Sequence, residues 1–252
     1  MGAFIAVVVV NTLAITLPIN GMETGKISDR YPNLFVPAGF TFSIWSVIYF
    51  LLLCFCAYGL KLAFSKNNRP EAIGALSAIA PLFFASCLLN ITWILLWHYL
   101  QIGLSGVVML LFLLTLIVIS LRLRPFVRIM KRTEIFFIGL PFSVYFGWIS
   151  IATVANITAM LVHLGWNGFG IAAGSWSAVM ILVATLLGII FLYKWKELAY
   201  TGVITWALFG IYSKQMGASP LVGYTALSGM VILLFGMAVT IIKSIQSGKA
   251  GA

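Results

Sequence analysis

Eight apolar runs, separated by short polar connections, leave this chain few ways to fold. They cover approximately residues 4–19, 36–60, 73–99, 103–121, 135–162, 172–193, 198–212 and 219–242. A helix needs about 20 apolar residues to cross the hydrocarbon core of a bilayer. Only 8% of the 252 residues are charged, against about 25% in a typical soluble domain. The acidic residues Glu23, Asp29, Glu71, Glu134 and Glu197 all fall between or at the ends of the runs. The runs are continuous and do not alternate, so helices are expected and a β-barrel is not. The expected fold is therefore all-α: a polytopic membrane protein of about eight transmembrane helices. The first run lacks a basic leader and an A-x-A-like cleavage site, so it reads as a retained helix.

The basic residues set an orientation. With eight crossings, one face holds the N-terminus, the connections near 61–72, 122–134 and 194–197, and the tail. Twelve of the 15 lysines and arginines fall there, Lys66 and Lys249 among them, and Lys26, Arg30 and Lys214 fall opposite. The positive-inside rule then places both termini in the cytoplasm. The net charge of +10 is thus a topology signal. The run RLRPFVRIMKR, 122–132, also suits anionic lipid headgroups. Basic residues scattered over short loops make nucleic acid a poor partner, and the lipid bilayer is the expected one.

Several chemistries find no support. Cys54, Cys56 and Cys87 lie in apolar runs, match no metal spacing and read as packing residues. No run carries a charged residue near its middle, which argues against an ion-coupled pump. There is no Gly-rich phosphate loop, no HExxH and no nucleophile elbow. No catalytic residue and no metal ligand is assigned.

Polar and aromatic residues inside the runs carry the functional signal. At 1.5 Å per residue, Asn11, Trp45, Asn90 and Asn156 all fall roughly 10–15 Å below the outer surface, with Trp148 deeper. A side-chain amide unpaired in hydrocarbon costs several kcal/mol, so these groups should face one another or a shared cavity. Phe42, Trp45 and Tyr49 are spaced for one helix face, as are Asn90, Trp93 and Trp97, and Trp148, Ala152 and Asn156. Taken singly, each residue is better explained by packing. Jointly they build a pocket suited to a flat, mostly apolar ligand with a few polar groups.

Other features read as structural. Trp97, Tyr99, Trp166 and Trp195 are expected at the headgroup level. His98 and His163 are expected to cap or to sit at the interface. The sequons at Asn90 and Asn156 lie mid-helix, out of reach of glycosylation. Leu187, Tyr193 and Lys196 fit a proposed sterol motif of low specificity.

At the pocket residues the chain resembles the tryptophan-rich sensory protein family, also called TspO, translocator protein or peripheral benzodiazepine receptor. The matching pieces are Pro37-x-Gly39-x-x-Phe42-x-x-Trp45-x-x-x-Tyr49, Leu89-Asn90-x-x-Trp93 and Trp148-x-x-x-Ala152-Thr153-x-x-Asn156. The resemblance covers roughly residues 1–166. It implies a five-helix bundle, often dimeric, that binds porphyrins, sterols or isoquinoline-type ligands in a pocket open toward the first loop. Trp45 and Trp148 would correspond to the family's pocket tryptophans, with Asn90, Ala152 and Asn156 beside them. The first loop departs from the family's Trp-x-Pro-Pro pattern, having Tyr31-Pro32-Asn33 and a single Pro37, and Pro141 stands seven residues before Trp148.

The expected organisation is a TspO-like bundle over 1–166 and a three-helix extension over 167–252. The expected function is binding of a porphyrin, haem-like or sterol-like ligand in a sensing or transport role, in a bacterial inner membrane, with no cofactor required. The alternatives are a porphyrin-degrading photo-oxidative enzyme and a transporter or assembly subunit that binds no tetrapyrrole.

Overall fold

A computed structural model describes residues 1–17, 19–65 and 69–249, with side chains as far as Gln246. Lys66 and the Lys249 side chain, both counted in the charge balance, lie outside the described residues. Among the described residues there is no strand, and eight long helices occupy the places of the eight runs. They are α1 (Gly2–Thr16), α2 (Ile44–Ala63), α3 (Pro70–His98), α4 (Ile102–Val127), α5 (Leu140–His163), α6 (Ala173–Trp195), α7 (Leu198–Gln215) and α8 (Pro220–Lys249).

Six helical spans among the described residues are long and apolar enough to cross a membrane, those containing α2 to α6 and α8. The expected all-α polytopic fold is present, and α1 and α7 are the two of its eight long helices that fall short of that length or composition. Helix α1 has 15 residues, or about 22 Å, which is short of the ~30 Å core. Helix α7 carries Thr201, Thr205, Ser213, Lys214 and Gln215, which lower its apolar character. Helix α4 is longer than expected. It runs through Pro125 to Val127, and Arg122 donates to the Ala78 carbonyl at 3.0 Å. Arg124 lies in the last turn, where a cation complements the helix dipole. The expected basic loop 122–134 is therefore mostly helix.

The chain forms two compact units, Met1–Tyr31 with Ser43–His163, and Pro32–Phe42 with the chain from Leu164 onward. In the first unit α4 packs against α3 and α5, α1 against α3, and α2 against α5. Ile79, Met109, Phe112, Ile119 and Ile149 fill its centre. Lipid offers no hydrophobic drive between helices, so such close packing must supply the association. Leu104, Leu111 and Leu114 remain exposed, as a lipid solvent permits. At one end of the unit, the Arg69 guanidinium donates to Oε1 of buried Glu134, and the Lys131 backbone N–H donates to Oε2 at 2.7 Å. At the other end, residues 19–31 fold around a short helix, Thr24–Asp29.

In the second unit α7 packs against both α6 and α8 and buries Tyr200, Thr201, Ile204, Ala207, Leu208 and Ile211. It also holds the segment 32–42. Asn33 Oδ1 accepts from the Phe35 and Val36 amides, both at 3.1 Å. The Ala38 amide donates to the Gly210 carbonyl at 3.0 Å. Trp206 Nε1 donates to the Thr41 carbonyl at 3.0 Å, and the Phe40 ring meets Trp206 edge-on at 5.5 Å. A Cβ on Gly210 would stand 2.0 Å from Thr41 Oγ1 and 2.9 Å from Pro37 Cβ. Only glycine permits this approach.

Candidate functional site

The site lies within the first unit, and Trp45 is its hub. Helix α2 begins at Ile44, after a 3₁₀ turn over Gly39–Ser43. One helical turn on, Tyr49 stacks with Trp45 at 5.5 Å between centroids. Helix α3 contributes Trp93, stacked at 5.9 Å. Helix α5 contributes Tyr145 and Trp148, both edge-on, at 6.0 and 6.2 Å. Offset-stacked and edge-on pairs at these distances are favourable beyond their buried area. Trp93 and Trp148 are buried, and Trp45 is half-buried.

A chain of hydrogen bonds runs beside the rings. Asn11 Nδ2 donates to Asn90 Oδ1 at 2.8 Å and also to its own helix at the Val7 carbonyl, 2.9 Å. Asn90 Nδ2 donates to the Tyr145 hydroxyl at 3.0 Å. Three helices are thus joined by amides that hydrocarbon would otherwise leave unpaired. Other polar atoms of the cluster lie outside this chain. Among the described residues, the buried Tyr49 hydroxyl and Trp93 Nε1 have no hydrogen-bond partner. The Asn90 side chain is a hydrogen-bonding neighbour of the Tyr49 hydroxyl, outside strict hydrogen-bond geometry.

The other expected pocket residues fall elsewhere. Phe42 lies in the 3₁₀ turn and in the segment belonging to the second unit. Asn156 turns to α4, where Oδ1 accepts from Ser105 Oγ at 3.3 Å. Ala152 is partly exposed on α5.

Tyr145 was not among the expected site residues. Tyr145 stands three residues before Trp148, so the one-face spacing that links Trp148 to Ala152 extends back to it. Trp97 was expected at the headgroup level. It is buried within the unit, stacks on Trp93 at 6.2 Å as the Asn90–Trp93–Trp97 stripe implies, and donates from Nε1 to the Thr24 carbonyl at 3.2 Å.

His98 fixes the connection above the cluster. Its Nδ1 lies 3.0 Å from the Ile19 carbonyl, and its Nε2 lies 3.0 Å from Thr24 Oγ1. A carbonyl can only accept, so Nδ1 carries a proton. Asn20 Nδ2 donates to the His98 carbonyl at 3.0 Å.

These features define an all-α polytopic membrane protein with an aromatic and amide cluster inside one helical unit. A family model described as TSPO-like protein matches residues 1–239, and the chain belongs to that TSPO-like family. The match runs well past residue 166, so the family pattern includes α6, α7 and most of α8. No curated protein and no solved structure matches.

Proposed function

We propose that the first unit binds a flat, mostly apolar ligand of the porphyrin or sterol-like class at the Trp45 cluster, in a sensing or transport role. The observation that carries this reading is a pair of buried polar atoms that have no hydrogen-bond partner among the described residues, Tyr49 OH and Trp93 Nε1, inside a group of five aromatic rings. Burying a polar group unbonded costs about 1–3 kcal/mol. A ligand that brings an acceptor to Trp93 and a donor or acceptor to Tyr49 removes that cost on binding. The rings supply flat apolar faces, and the Asn11–Asn90–Tyr145 chain keeps α1, α3 and α5 in register around them. Trp45 and Trp148 stack on the ligand in this reading. The membrane in this reading is a bacterial inner membrane.

The test is protoporphyrin titration of the purified protein, read by quenching of tryptophan fluorescence, in the parent, Trp45→Phe and Trp148→Phe. Saturable binding that weakens in both variants supports the assignment. Binding as tight as the parent in both removes it.

A further inference from the structure

We propose that the second unit holds an anionic phospholipid, its hydroxyl-bearing headgroup at Lys196 and an acyl chain along Ile241 and Ile245. Helix α6 ends at Trp195 and α7 begins at Leu198. Beside the turn between them is a groove of about 300 Å³ lined by Lys196, Leu198, Thr240, Ile241, Ser244 and Ile245. This lining is amphipathic. A lysine and two hydroxyl side chains provide a polar part, and three aliphatic side chains provide an apolar part. A soluble anion has no use for the aliphatic residues, whereas a phospholipid uses both.

Charge and level agree. Lys194, Lys196 and Lys243 outnumber Glu197 at these helix ends. The Lys194 ammonium lies 5.2 Å over the Trp195 ring, an arrangement suited to the headgroup level. Thr240 gives its hydroxyl hydrogen to the Gly236 carbonyl at 2.9 Å, so its oxygen is left as an acceptor. A glycerol or inositol headgroup offers hydroxyl donors to that oxygen and a phosphate to Lys196, and a bare phosphate monoester does not. The sterol motif shares only Lys196 with the groove, because Leu187 and Tyr193 do not line it.

Lys196 also stands where the backbone would favour a different residue. It caps α6 in the left-handed conformation, φ 55° and ψ 34°, with its amide bonded to the Leu192 carbonyl. Glycine is preferred at that position. The turn therefore gives no reason for a lysine, and Lys196→Gly removes the cation while easing the backbone.

The experiment is native mass spectrometry of the full-length protein with chain-matched phosphatidylglycerol, phosphatidic acid and phosphatidylcholine. The parent is expected to retain one phosphatidylglycerol. Lys196→Gly is expected to weaken that retention about fivefold, the worth of one lysine near an anionic surface. Its melting temperature in phosphatidylcholine should equal or exceed the parent's. Thr240→Val should narrow the preference for phosphatidylglycerol over phosphatidic acid. Undiminished phosphatidylglycerol retention by Lys196→Gly overturns the proposal, as does equal competition by free glycerol phosphate.

Discussion

Removing one oxygen from Tyr49 and from Tyr145 should shift stability in opposite directions, although both rings touch Trp45. Tyr145 accepts from Asn90 Nδ2 at 3.0 Å, and Asn90 is fully buried. Tyr145→Phe deletes that acceptor. Hydrogen bonds between membrane helices are worth about 0.6 kcal/mol on average and up to about 1.7. The amide N–H left behind adds part of a ~1–3 kcal/mol desolvation cost, so a loss of about 1–2 kcal/mol is expected. Tyr49→Phe deletes a buried hydroxyl that has no partner among the described residues. Removing an unsatisfied group should raise stability by about 1 kcal/mol. Both substitutions remove the same atom type in the same cluster, so the loss of volume cancels in the comparison. The assay is reversible unfolding of ligand-free protein in mixed micelles across a denaturing-detergent series. If Tyr49→Phe destabilises as much as Tyr145→Phe, the Tyr49 hydroxyl is bonded in the free protein and the reasoning fails.

Gly210→Ala places a Cβ 2.0 Å from Thr41 Oγ1, an overpacking worth about 1–3 kcal/mol. Hydrogen–deuterium exchange at the Ala38 amide should accelerate, and an unchanged rate would mean that α7 does not hold the segment 32–42. His98→Ala removes the ring contacts to Ile19 and Thr24, at a cost of about 1 kcal/mol for each hydrogen bond. Trypsin should then cut faster at Lys26 and Arg30, and unchanged cleavage would show that the connection is held by other contacts.

The helices were legible because apolar length and charge placement are local properties of a chain in lipid. The length of α4 was not. Pro125 and its flanking arginines read as a loop, yet a proline near a helix end interrupts little, and the arginines suit the end of the helix. Depth counting brought Asn11 and Asn90 to one level, and they are bonded at 2.8 Å. Depth carries no information on direction around the helix axis, so it could not show that Asn156 turns to Ser105. Phe42 precedes α2 itself, in a 3₁₀ turn that the apolar run did not signal. Packing of the segment 32–42 depends on one glycine within an apolar run, Gly210. A single small residue gives no periodic signal, and the contact spans more than 160 positions of sequence, Trp206 to Thr41.

The central claim is that the Tyr49 hydroxyl and Trp93 Nε1 await a ligand's polar groups, and protoporphyrin affinity tests it most directly. Dissociation constants read from the ligand's own absorbance do not depend on the protein's tryptophans. Tyr49→Phe and Trp93→Phe should each weaken binding by about 5- to 30-fold, the equivalent of one hydrogen bond of ~1–2 kcal/mol in a buried site. Affinities within twofold of the parent in both variants would contradict the claim.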